Sequence, residues 1–234
     1  MKNIKYIQGI ICLLMCIVVF KSNAQKVQFS VGRNFTTYKL INTSNQEVNY
    51  LKPGSGYYMH AGINRSFLDS VSLQVKSSEK ALRFSQKPGY SKLLSLLTYS
   101  AGVSLSQLNA SGDIQQIPLK YETDYIGAQV GLGAHVKLIK RLEVHVRGTL
   151  SASKLISGNQ QSGNNFYSLV GNSHFDGIKL FKGFQIDLHT RLNNSTNLFL
   201  SYAQQSTLIS SEASTGKLDF NNKIIAMGLE FQIN

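Results

Sequence analysis

The segment KIIAMGLEFQIN (223–234) sets Ile225, Met227, Leu229, Phe231 and Ile233 in alternation with Ala226, Gly228, Glu230, Gln232 and Asn234. Alternate residues of an extended strand face opposite sides, so one face here is apolar and the other is small or polar. The same period of two recurs upstream. Ile126, Ala128, Val130, Leu132, Ala134, Val136 and Leu138 alternate with Gly127, Gln129, Gly131, Gly133, His135 and Lys137. From 142 to 152, Leu142, Val144, Val146 and Leu150 alternate with Glu143, His145, Arg147, Thr149 and Ser151. Further extended segments are predicted at 26–35, 57–67, 70–83, 93–107, 177–192 and 196–208. No stretch after residue 24 sustains a helical period, so the pattern predicts an all-β chain.

The connections add a direction. Ile139-Lys140-Arg141, Asn193-Asn194-Ser195 and Leu68-Asp69 read as tight turns, whereas 41–56, 154–176 and 209–222 are long and rich in Ser, Asn, Gly and Gln. Short turns at one end and long loops at the other are the habit of an outer-membrane barrel. In such a barrel the apolar set faces lipid and the polar set fills the lumen. Glu143, Arg147, Asp187, Arg191, Glu230 and many glycines suit a narrow wet interior better than an exposed surface. Tyr57, Phe67, Tyr99, Tyr121, Tyr125, Phe184 and Phe231 lie near strand ends and are expected in interfacial girdles.

These segments make nine candidates, and a barrel needs an even number. The conflict lies in 70–121. Eight strands result if 70–83 or 93–107 does not span, and ten if 113–121 is an extra strand. Pro118 counts against ten, because proline cannot donate to a ladder. The expected fold is therefore an antiparallel up-and-down transmembrane β-barrel of eight strands, with ten as the alternative. Residues 223–234 are expected to close it by pairing with 26–35.

Composition and charge sharpen this picture. Lys2 and Lys5 precede an apolar run from Ile10 to Phe20 and the small-residue site Ser22-Asn23-Ala24, which predicts a signal peptide (1–24) cleaved after Ala24 and a single barrel domain over 25–234. The run is about half the roughly 20 residues a spanning helix needs. Cys12 and Cys16 both lie in the signal, so the mature chain forms no disulfide. Loss of Lys2, Lys5 and Lys21 lowers the +12 of the full chain by three, to +9. In an exported protein this excess points to anionic lipid head groups or a polar lumen and not to nucleic acid.

The segments FSVGRNF (29–35), YYMHAGINRSF (57–67), LTYSAGVSL (97–105), YETDYIGAQVGLGAHVKL (121–138) and MGLEFQIN (227–234), after an export signal, together resemble the PorT-like outer-membrane β-barrel family. The resemblance covers nearly the whole mature chain and is one of pattern and order. It implies an eight-stranded barrel and carries no catalytic residues. Residues 70–92 are longer than the second turn usual in that family.

Candidate chemistry lies in the lumen. If 141–153 pairs with 177–192 so that paired numbers sum to 334, Glu143 meets Arg191, His145 meets His189 and Arg147 meets Asp187. The turn at 139–141, with sums near 280, adds Lys137 beside Glu143 and His135 beside His145. Such a set, with Glu230 in need of a cation, reads as a salt-bridged filling, since buried charges must be paired. His135, His145 and His189 are the alternative as a three-imidazole zinc site, which requires their nitrogens to converge on one point about 2.1 Å away. Ser173-His174-Phe175-Asp176 is the one constellation with hydrolytic chemistry, and no activating motif surrounds it. The glycines of GLGAHV (131–136) lie inside a strand, where they make room for bulky neighbours and do not cradle phosphate.

The expectation is an integral outer-membrane protein, porin-like in architecture but with a filled lumen, no enzymatic activity, and no cofactor or metal. It would act in envelope structure, adhesion or secretion support through its external loops, above all 154–176. Expected partners are outer-membrane lipids and lipopolysaccharide, the barrel-assembly machinery, and an unidentified extracellular or secretion partner. The alternatives are a secreted lipocalin-like binding barrel, with its apolar faces turned inward, and an outer-membrane lipid-modifying enzyme.

Overall fold

The computed structural model describes residues 25–42, 44, 46–48, 51–67, 95–114, 116–209, 211–213 and 216–233. The proposed signal (1–24), the Leu68-Asp69 turn and the candidate strand 70–83 lie outside them. The described chain is almost entirely strand: β1 (Gln25–Ile41), β2 (Glu47–Val48), β3 (Leu51–Ser66), β4 (Leu97–Ile114), β5 (Ile117–Ile139), β6 (Leu142–Ser162), β7 (Asn165–Ser168), β8 (Ile178–Arg191), β9 (Thr196–Thr207), β10 (Ser211–Ala213) and β11 (Gly216–Ile233).

Eight long strands pair antiparallel in the order β11-β9-β8-β6-β5-β4-β3-β1, and β1 pairs with β11 to close the ring. The fold is thus an up-and-down β-barrel in which all of β1, from Gln25 to Ile41, is bonded to β11. Following partners around the ring leads from Val27 through Ile63, Ala101, Val130, Leu150, Lys182, Ser206 and Asn221 back to Thr37. The return lies ten residues up β1, from 27 to 37. Eight strands with this stagger tilt by about 41° and form a ring of about 8 Å radius. Such a ring is narrow enough for side chains to fill.

The segment 113–121 is not an additional strand. It forms the end of β4 and the start of β5, which meet in a hairpin where Ile114 pairs with Ile117 and Asp113 with Pro118. Proline is tolerated there because the carbonyl of Pro118 still accepts from the Gly163 amide at 3.0 Å. The expected rule of short turns at one end fails at two places. The β4–β5 hairpin at the far end is tight, while the connection from Ser66 to Leu97 at the end bearing the termini is long. The far loops are also shorter than expected, because β3 begins at Leu51, β6 continues to Ser162 and β11 begins at Gly216. Runs rich in Ser, Asn and Gln read as loop, yet they are held here by ladder bonds to neighbouring strands.

Polarity follows height. Near the termini the apolar set points outward: Val31 is 58% exposed, Leu132 63%, Leu200 54% and Met227 56%. Beyond it the phase flips. Tyr38, Leu108, Tyr125, Leu155, Phe181, Leu218 and Phe220 all point inward and are buried. The outward apolar belt is about 20–25 Å tall, whereas β5, with 23 residues, rises roughly 55 Å along the axis. The belt matches a bilayer core, and the rest of the barrel stands above it as a water-facing extension with an apolar interior. A cation in mid-belt should therefore be costly. Met227→Arg is expected to lower the unfolding free energy in vesicles by about 2–4 kcal/mol, whereas Lys120→Arg above the belt leaves it unchanged, as read by urea titration.

Candidate functional site: a lumen filled in two layers

The lower layer is polar and lies level with the lipid belt. Glu230, 1% exposed on β11, accepts from Lys26 Nζ at 3.0 Å, Gln28 Nε2 at 2.6 Å, Asn197 Nδ2 at 2.9 Å and Asn64 Nδ2 at 3.4 Å. The cation that Glu230 requires is thus Lys26, supplied by the closing strand one diagonal step away, since Gln28 lies directly opposite Glu230 and Lys26 opposite Gln232. Arg147 on β6 is ion-paired through Nη2 with Asp187 on β8, and both are buried. Arg147 Nη1 also donates to Gln28 Oε1 at 3.5 Å, which joins the two ion pairs. Asp187 accepts from Gln185 Nε2 at 2.8 Å, and Gln129 on β5 and Gln205 on β9 continue the chain of amides.

The expected β6–β8 register is corrected by two residues. Paired numbers sum to 332, with Glu143 opposite His189, His145 opposite Asp187 and Arg147 opposite Gln185. A two-residue slip keeps every side chain on its face, so facial patterning cannot choose between 334 and 332. The ring closes with the 332 pairing. Arg147 still reaches Asp187 diagonally, but Glu143 does not meet Arg191, which is exposed at the mouth and has no ion pair among the described residues. The turn register is as expected: Lys137 lies opposite Glu143, with Nζ–Oε1 at 3.6 Å, and His135 lies opposite His145.

The three histidines form a ladder in which His189 stacks on His145 and His135 tilts against His145 by 32°. Ring centroids are 5.3 Å apart for His135–His145 and 4.1 Å for His145–His189, and Phe199 continues the ladder 5.0 Å from His189. The interplanar angles of His145–His189 and His189–Phe199 are 20° and 18°. Imidazole lone pairs lie in the ring plane, so stacked rings direct them side by side and not onto one ion. The histidines fill space as flat rings, and the three-imidazole zinc site does not form. Gly133 shows why the strand carries glycine here: it lies opposite Arg147, and a Cβ on it would fall 2.6 Å from Arg147 Cγ.

The upper layer is aromatic and was not foreseen. Phe175, from the connection after β7, enters the barrel and stacks on Tyr121 at 5.7 Å and 17°. Tyr38 lies 5.9 Å from Phe175 and 4.8 Å from Phe220. The two buried hydroxyls find acceptors, Tyr38 Oη donating to the Leu108 carbonyl at 2.8 Å and Tyr125 Oη to the Phe175 carbonyl at 3.0 Å. Tyr121 and Tyr125 therefore belong to this plug and not to an interfacial girdle. Tyr57, Tyr99, Phe184 and Phe231 are on outward-facing positions, with Phe67 packed against Tyr99 at 5.3 Å. The signal for the plug was the phase flip itself: Leu218 and Phe220 alternate out of step with Ile225 and Met227.

The same inward fold accounts for Ser173-His174-Phe175-Asp176. Asn172 Oδ1 accepts from the His174 amide at 3.0 Å, Asp176 Oδ1 from the Gly177 amide at 2.7 Å, and the His174 carbonyl from Lys179 Nζ at 2.6 Å. Burial, and then the Lys179 ammonium, hold the His174 imidazole below its usual pKa. These bonds shape a turn that delivers Phe175 into the lumen, with the Asp176 carboxylate accepting from the Gly177 amide.

No protein-family model and no curated protein matches the chain. Among solved structures it is similar to Neisserial surface protein A (8% identity, 89% of this chain and 97% of that one covered, TM-score 0.47). It is also similar to the outer membrane protein OprG of Pseudomonas aeruginosa (8%, 91% and 98%, 0.46) and the outer membrane protease OmpT of Escherichia coli (8%, 91% and 98%, 0.47).

The two ion pairs should respond differently to loss of one partner. Asp187→Asn strands a buried guanidinium and is expected to cost about 3–5 kcal/mol. Glu230→Gln leaves Lys26, whose side chain is 32% exposed and reaches water, and should cost about 1–2 kcal/mol. Urea unfolding in vesicles measures both, and equal costs would show that burial of the partner is not what decides.

Proposed function

We propose that the protein is an integral outer-membrane barrel with a sealed lumen, non-enzymatic, acting in envelope structure, adhesion or secretion support through the extension above the lipid belt. The observation that carries this reading is the inversion of polarity: an exposed apolar belt surrounds an interior of paired charges, the reverse of a soluble barrel. A secreted lipocalin-like binder is disfavoured by the same observation. Its ligand would need an apolar cavity, and the apolar stretch of lumen among the described residues is packed with Tyr38, Phe175 and Phe220. The pattern-level resemblance to the PorT-like family agrees with an exported barrel lacking catalytic residues. Insertion by the barrel-assembly machinery follows from the reading, as strands of a barrel can leave no backbone group unpaired in lipid.

Three measurements test it. The protein should fractionate with outer membranes and migrate as a heat-modifiable band, and recovery as a soluble periplasmic protein would refute the reading. Incubation of the purified barrel with labelled lipopolysaccharide should leave acylation unchanged. In planar bilayers the wild type should not conduct, and neither should Phe175→Ala, because the polar layer still blocks the lumen. Conductance is expected only when Phe175→Ala is combined with Arg147→Ala.

A further inference from the structure

The height at which each strand changes phase marks the upper edge of the bilayer core. On β11 the flip lies between buried Phe220 and exposed Ile225, on β8 between Phe181 and Phe184, on β6 between Leu150 and Leu155, and on β1 between exposed Phe35 and buried Tyr38. Exposed outward cations stand beside these flips: Lys223, Lys182 and Lys154 at them, and Arg33 one outward position below Phe35. With the stagger of ten, Arg33, Lys223 and Lys182 come within about 2 Å of one height and Lys154 stands about 7 Å above them. Below them, the outward side chains of these strands are apolar through the belt. On the opposite arc the corresponding outward residues are Tyr57, Gln107 and Asp124, with Tyr57 Oη donating to Asp124 Oδ1 at 2.9 Å. Arg33, Lys223 and Lys182 therefore share one height on one half of the circumference, with Lys154 above them on the same half.

A second feature adjoins this arc. An apolar furrow of about 840 Å³ lies on the outer face and reaches from β11 across β1 to β3 and β4, with Phe29, Val31, Met59, Ala61, Met227 and Leu229 in its lining. Ala61, between the larger Met59 and Ile63 on the same face, leaves the depression. Arg33 follows Val31 and Phe29 on the outward face of β1, so it stands at the head of the furrow. Lys223 lies opposite Phe35 while Arg33 lies opposite Ile225, which makes the two cations diagonal neighbours roughly 7–8 Å apart.

We propose that Arg33, Lys223 and this furrow form a binding site for a phosphorylated lipid of the outer leaflet, lipid A in chemistry. The phosphate lies between the guanidinium and the ammonium, and an acyl chain descends along Phe29, Val31 and Ala61. A guanidinium can bind phosphate bidentately, and at the edge of the hydrocarbon the pair is less screened than in bulk water. The alignment of head-group charge above an apolar trough matches the direction a lipid takes in the leaflet. The inference rests on the outer-membrane reading given above.

The test uses the full mature barrel in phosphatidylcholine nanodiscs, titrated with diphosphorylated lipid A and with its dephosphorylated form, binding being read by native mass spectrometry. Wild type should prefer the phosphorylated lipid. R33Q/K223Q should bind it roughly thirtyfold more weakly, and A61W, which fills the furrow, should weaken both lipids. K39Q/K120Q, which removes two cations from the extension, should bind as wild type. Folding of each variant is checked by heat-modifiable migration. The proposal is overturned if R33Q/K223Q binds as tightly as wild type, if K39Q/K120Q loses as much, or if inorganic phosphate competes as well as the lipid. Loss of outer-membrane fractionation, measured separately, would instead sink the membrane reading itself.

Discussion

Hydrocarbon offers no partner to a peptide group, so every amide and carbonyl that crosses it must be bonded within the chain. In this protein that demand is met by pairing β1 with β11 along the whole of β1, which removes both sheet edges at once. The rest of the structure depends on this closure. It imposes the ten-residue stagger, the stagger with eight strands sets the tilt and radius, and the radius leaves a lumen that side chains must fill.

The filling changes character where the surroundings change. Level with lipid, the outward positions are taken by apolar residues, and the inward ones hold charges and amides that satisfy one another: Lys26 with Glu230, Arg147 with Asp187, and Gln28 between them. Above the lipid the same strands face water, and the apolar residues turn inward around Phe175 and Phe220. One set of strands thus reads as a membrane barrel in its lower half and a soluble barrel in its upper half. On β1 and β11 the boundary requires only that the apolar phase move from odd to even positions, as between Ile225 and Phe220, whereas β6 carries a bulge there, with Leu155–Ser157 opposite Asp124–Tyr125.

This division bears on function. A lumen closed by a charge network below and an aromatic plug above leaves the two outer surfaces as places where something else can bind. The extension presents the β4–β5 hairpin and the loops beside it to the exterior. The belt edge presents cations on one side of the barrel and an apolar furrow beneath one of them. Between them, the Ser173-His174-Phe175-Asp176 turn carries Phe175 into the lumen.

The sequence by itself determined which face of each alternating strand looks at lipid and which at the lumen, since a period of two is local and survives any even slip of register, but Tyr121 and Tyr125 read as girdle residues and lie in the plug. It also determined that Glu230 would need a cation and that residues 223–234 would close on 26–35. The aromatic plug was legible in principle, in the out-of-step alternation of Leu218 and Phe220, but their polar neighbours made 209–222 read as loop. Tertiary structure alone decided three things: that β6 and β8 pair at 332, that the histidines form a ladder, and that Phe175 leaves its loop to enter the barrel. Each depends on partners far apart in the chain, brought together when the ring closes, and no local pattern carries that information.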